Sequence, residues 1–142
     1  MRFSLVAMAS GLAALANARI NGIAVPDTIR PGEGFNAIIK SSNYIQTVFD
    51  VAIVFGYHQG PDFPPSLGSL ADSLCLGAEQ SNQLNDFKKW VFIPSSAPKG
   101  PGTVTASLMS LYGASHTPVL ASYSVNVTFG DFTSNNYVTS QP

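Results

Sequence analysis

One cysteine in 142 residues, Cys75, leaves this chain without any internal disulfide. Small secreted domains commonly lean on disulfides, so the core here has to hold by packing alone, in oxidising or reducing surroundings. The stretch Ser73-Leu74-Cys75-Leu76 is apolar, and Cys75 is expected as a small buried hydrophobe with a free, unreactive thiol. Charge is scarce too, with seven Lys and Arg against eight Asp and Glu and no dense block of either sign. That excludes the broad electrostatic footprint of a nucleic-acid or anionic-lipid binder. The one basic-aromatic cluster, Lys88-Lys89-Trp90, reads as two lysines at a solvated strand start.

Catalytic signatures are equally thin. No His-Glu-x-x-His helix, Gly-x-Ser-x-Gly elbow, Gly-x-x-x-x-Gly-Lys phosphate loop or calcium loop occurs. The two histidines, His58 and His116, have no ligand-type residue at metal-site spacing, so no metal and no cofactor is expected. Copper-dependent polysaccharide oxygenases need an N-terminal histidine, and Arg19 stands where the processed chain is expected to begin. A Ser/His/Asp site assembled in space stays open as a minor reading.

What is present begins with a leader. Arg2 is a positive start, residues 3–16 are apolar apart from Ser4, Ser10 and Gly11, and Ala16-Asn17-Ala18 offers the small-x-small cleavage pattern. Residues 1–18 are therefore expected to be a signal peptide and residues 19–142 one secreted domain. The run is shorter than the roughly 18 to 20 apolar residues of a spanning helix, and no later stretch approaches that length, so no membrane span is expected.

Helix signals are few, whereas short alternating runs recur between Pro and Gly clusters. Strands are expected at residues 20–25, 35–41, 49–57, 87–93, 103–112 and 119–129. Residues 67–76 are ambiguous between an edge strand and a helical turn. In residues 49–57, Val51, Ile53, Phe55 and Tyr57 point one way and Ala52 and Val54 the other, the pattern of a central strand covered on both sides. The prolines of Gly60-Pro61-Asp62-Phe63-Pro64-Pro65 make that segment a loop. About seven strands at this spacing fit an all-β, immunoglobulin-like or fibronectin-like sandwich, without the cysteine pair of antibody domains. The polar tail, residues 133–142, is expected to be loosely held.

Binding leads come from aromatics near strand ends. Tyr44 and Gln46 lie in Ser41-Ser42-Asn43-Tyr44-Ile45-Gln46, and Tyr112 and Ser115 in Leu111-Tyr112-Gly113-Ala114-Ser115. Tyrosine offers large contact area at low entropy cost, which suits recognition; capping the core with a wetted hydroxyl is the simpler role. Asn126-Val127-Thr128 is an N-glycosylation sequon on the polar face of the last long strand.

Several stretches together resemble a known family. Arg19-Ile20-Asn21-Gly22-Ile23-Ala24-Val25-Pro26, Asn43-Tyr44-Ile45-Gln46, Asp50-Val51-Ala52-Ile53-Val54-Phe55-Gly56, Leu76-Gly77 with Glu79-Gln80-Ser81-Asn82, and Ser110-Leu111-Tyr112-Gly113-Ala114-Ser115 are similar to the necrosis-inducing secreted proteins of fungal effectors. The resemblance implies a non-enzymatic effector that suppresses pattern-triggered immunity in plants and in some members provokes cell death; a monomer is expected. It implies as partners a host co-receptor kinase of the brassinosteroid-receptor-associated type and a receptor-like cytoplasmic kinase. The corresponding destinations are the host apoplast and then the host cytoplasm or plasma-membrane periphery. The alternative is a secreted sandwich module that binds cell-wall carbohydrate or lipid, which exposed coplanar aromatics would favour.

Overall fold

The computed structural model describes residues 17–141, so most of the expected leader, residues 1–16, lies outside it. The described chain is all-β: β1 (Ala18–Pro26), β2 (Thr28–Ile29), β3 (Gly34–Asn43), β4 (Val48–Gln59), β5 (Ser69–Cys75), β6 (Phe87–Phe92), β7 (Gly100–Tyr112), β8 (Thr117–Phe129) and β9 (Tyr137–Thr139), with one 3-10 turn at Ala78–Gln80. A four-stranded sheet runs β6-β3-β1-β9 and faces a five-stranded sheet ordered β2-β8-β7-β4-β5. The neighbour relations β8-β7-β4-β5 and β6-β3-β1 are those of the G-F-C-C′ and E-B-A ladders of an immunoglobulin-like sandwich. Inward residues of alternate positions make the core, with Ile23, Val25, Ile39 and Val91 from one sheet meeting Ile53, Phe55, Leu108 and Phe129 from the other, all at most 2 % exposed.

The expected seven strands become nine. Residues 67–76 resolve as the edge strand β5, and the additions are β2 and β9, of two and three residues, too short to display a period. β2 runs parallel to β8, pairing Thr28 with Thr128 and Ile29 with Phe129. The tail expected to be loose is tied down instead: β9 pairs antiparallel with β1 from Ala24↔Thr139 to Pro26↔Tyr137. Beyond it, the buried Ser140 accepts the Ile23 N–H on its hydroxyl at 3.0 Å and donates its own N–H to the Ile23 carbonyl at 2.8 Å.

β4 also departs from expectation. It lies one strand from the sheet edge, and only its inner face meets the opposite sheet. A bulge between Asp50 and Ala52 puts Val51 out of register with β7, so the inward set is Val48 and Asp50 before the bulge and Ile53, Phe55 and Tyr57 after it. The loop after β4 folds back over the outer face, where the Thr103 and Thr105 hydroxyls donate to the carbonyls of Gly60 (2.9 Å) and Leu67 (2.7 Å). Gly56 permits this approach, since a Cβ there would stand 2.2 Å from the Leu67 carbonyl oxygen.

Cys75 is exposed, against the expectation of burial. It ends β5 between Leu74, which packs against the core, and the buried Leu76, and the period of two turns the residue between them outward.

Candidate interaction surface at one end of the sandwich

The β3–β4 and β7–β8 connections meet at one end of the molecule because β4 and β7 pair along their whole length, closing at Val48↔Tyr112. The Gly113 N–H donates to the Thr47 carbonyl at 2.9 Å and joins the two loops. Tyr44 and Tyr112, far apart in sequence, thereby stack edge to face with ring centroids 5.6 Å apart. The Arg19 guanidinium from β1 lies 4.5 Å over the Tyr44 ring. Gln46 approaches Gly113, and a shallow cavity of about 410 Å³ is lined by Gln46, Thr47, Gly113, Ala114 and His116. Ser115 lies in the same turn, its hydroxyl 3.0 Å from that of Thr117. All four candidate surface residues, Tyr44, Gln46, Tyr112 and Ser115, thus sit at one end of the sandwich.

Beneath them the core end is polar. Asp50 is 1 % exposed and accepts the Ser110 hydroxyl at 2.6 Å, while its backbone N–H donates to the Ser81 hydroxyl at 2.8 Å. Burial pushes the Asp50 carboxyl above the ordinary value of 3.8, with the Ser110 hydrogen bond pulling the other way. Tyr123 reaches across the sandwich to donate to the Ile20 carbonyl at 3.2 Å. Its hydroxyl is pushed up to about 12, first by burial and then by Tyr112 and Asp50.

An apolar patch adjoins the tyrosines on the outer face of the five-stranded sheet. Strand register sets Phe49 beside Leu111 and Leu111 beside Pro118; the next outward row is Ala52, Met109 and Leu120. Leu120 is 74 % exposed, and Ile45, at the tip of the β3–β4 loop, 91 %. Sequence reasoning missed Ile45, Phe49, Met109 and Leu120. The signal was slight: Met109 and Leu120 are apolar members of otherwise polar faces that continue as Ser107 and Ser122, and only the register makes them neighbours.

Among the described residues the pairs His58–Asp62 and Asp50–Ser110 stand toward opposite ends of β4. The His58 Nε2 lies 3.6 Å from an Asp62 carboxylate oxygen near the far end of β4, whereas Ser110 and Asp50 pair about 26 Å away at about 3.3 Å per strand residue. Among the described residues no three His, Cys, Asp or Glu side chains are grouped as metal ligands. Asn126 is exposed on the outer face of β8, paired in register with Thr103 and so well away from the tyrosine end.

The chain is similar to two proteins named necrosis-inducing secreted protein 1. It is 47% identical over 137 residues to the one from Colletotrichum higginsianum, covering 96% of this chain and 95% of that protein. The one from Colletotrichum orbiculare is 44% identical over 137 residues, covering 96% and 85%. The sequence model of the Nis1 family matches residues 16–128, which include β1 through nearly all of β8 and hence the loop end just described. With most of its length matched and near-complete relatives at this identity, the chain belongs to the Nis1 family.

Proposed function

We propose that this chain is a secreted fungal effector that acts by binding, not catalysis, and dampens pattern-triggered immunity in plants. Its partners in this reading are host immune kinases, a co-receptor of the brassinosteroid-receptor-associated type and a receptor-like cytoplasmic kinase, whose signalling it inhibits; host cell death is a further outcome. Secretion and necrosis are in the names of the relatives. The observation that carries a binding role is the apolar patch of Phe49, Met109, Leu111 and Leu120 beside the Tyr44–Tyr112 pair, with the exposed Ile45 on the loop that leads into Phe49. Exposed leucine and isoleucine at a rigid strand end, rimmed by tyrosine, arginine and glutamine, have the apolar centre and polar rim of a protein interface. A glycan on Asn126 would leave this end free, because the sequon sits at the other end of β8.

The test is capture of co-receptor kinase domain by the secreted protein recovered from culture medium, with kinase autophosphorylation measured alongside. The secreted protein is expected to retain the kinase and lower its activity, and Ile45→Asp and Leu120→Asp to weaken retention about tenfold or more. Absence of retention beside a working positive-control partner would sink the kinase reading. Retention unaltered by both aspartates would remove the interface from this end of the molecule.

A further inference from the structure

The opposite sheet presents a second surface that the kinase reading does not use. β6 is its edge strand, and while Phe87 and Val91 turn toward the core, Lys88, Trp90 and Phe92 turn outward. Trp90 is 59 % exposed and Phe92 45 %. The indole is not free to swing: it lies over Gly34 of β3, where a Cβ would stand 2.4 Å from Cε2 and Cζ2. From the other flank, Tyr137 of β9 pairs with Pro26 of β1 and sends its hydroxyl across β1 to donate to the Asn36 carbonyl at 2.7 Å. Asn36 is the register partner of Trp90. Trp90 and Tyr137 therefore reach β3 from opposite sides, each held by a contact to its backbone.

The charge left without a partner on this face has one sign. Lys40 is bound to Asp86 at 2.6 Å, and Lys99 to Asp131. Among the described residues the lysines without a carboxylate partner are Lys88 and Lys89; Lys88 shares the outward face with Trp90, whereas Lys89 alternates to the other face with Phe87 and Val91. A partner complementary to this face needs flat apolar faces for the rings and carboxylates for Lys88. A uronic-acid polymer has both, since each sugar ring shows a C–H face and carries one carboxylate at regular spacing. Anionic lipid fits less well: rings held down on a sheet face cannot insert below the headgroups as interfacial tryptophans do. We propose that the outer face of β6 and β3 binds a polyuronate chain, with Trp90 stacking on the sugar and Lys88 pairing with its carboxylates.

Trp90 is the single tryptophan of the chain, so its fluorescence reports on this site directly. Titrating the secreted protein with polygalacturonate should change Trp90 emission saturably, and electrophoresis through polygalacturonate gels should retard the protein. Methyl-esterified polygalacturonate, with the same rings but no charge, should bind about tenfold more weakly. In the gel, Trp90→Ala and Phe92→Ala should each weaken retardation about tenfold, and Lys88→Gln several-fold with a shallower salt dependence, all with unchanged melting midpoints. Kinase capture should be untouched by Trp90→Ala, which separates this site from the proposed kinase surface. No emission change, retardation unaffected by Trp90→Ala and Phe92→Ala, or equal affinity for the ester would overturn the proposal. Binding to phosphatidylserine vesicles without binding to polygalacturonate would overturn it in favour of a membrane surface.

Discussion

Asp50 is a carboxylate that β4 turns into the core, and the bulge at Val51 is what lets Asp50 and Ile53 both face inward. Because burial raises its pKa in the folded state, Asp50 stabilises most below its ordinary value of 3.8, and that contribution is lost as pH rises through the folded value. At neutral pH the buried charge is therefore a cost. Asp50→Asn keeps an acceptor for the Ser110 hydroxyl and removes the charge, so it should raise the urea midpoint at pH 7. The gain should vanish as pH falls below 3.8. Asp86, held low by its hydrogen bonds to Lys40 and to the Ser41 N–H, acts in the opposite sense, but in both proteins equally, so the difference isolates Asp50. At this scale Tyr44 and Tyr112 were legible as strand-end aromatics, whereas the exposure of Cys75 was not, because its outward turn follows only once residues 67–76 are settled as a strand.

Among the elements, the long strands announced themselves through alternation, and in β8 the apolar alternate positions from Val119 to Phe129 are buried at Val125, Val127 and Phe129, while Val119 at the strand's start is exposed. The short strands did not, since β2 and β9 depend on partners distant in sequence. Ser140 shows how much such an element carries. The Ile23 N–H donates to the Ser140 hydroxyl, and both residues are buried. Ser140→Ala leaves that donor unpaired and should cost about 1–3 kcal/mol in urea unfolding, with Ser140→Thr recovering part of it. A loss below about 0.3 kcal/mol would mean that the tail does not hold β1 as described.

For the whole molecule, two sheets with no disulfide between them give a fold with no bond for a reductant to break. The melting midpoint should be the same with and without dithiothreitol, and the exposed Cys75 should react with a thiol reagent in the native protein without denaturant. A midpoint that falls in reductant would instead reveal a Cys75-linked dimer. The sequence by itself determined the all-β class, the lack of an internal disulfide and most strand positions, because alternation and cysteine number are properties of neighbours along the chain. Only the tertiary structure decided that Tyr44 meets Tyr112, that Met109 lies beside Leu120, and that Trp90 rests on Gly34. Those contacts depend on register between segments tens of residues apart, and a slip of one residue would turn each side chain to the other face.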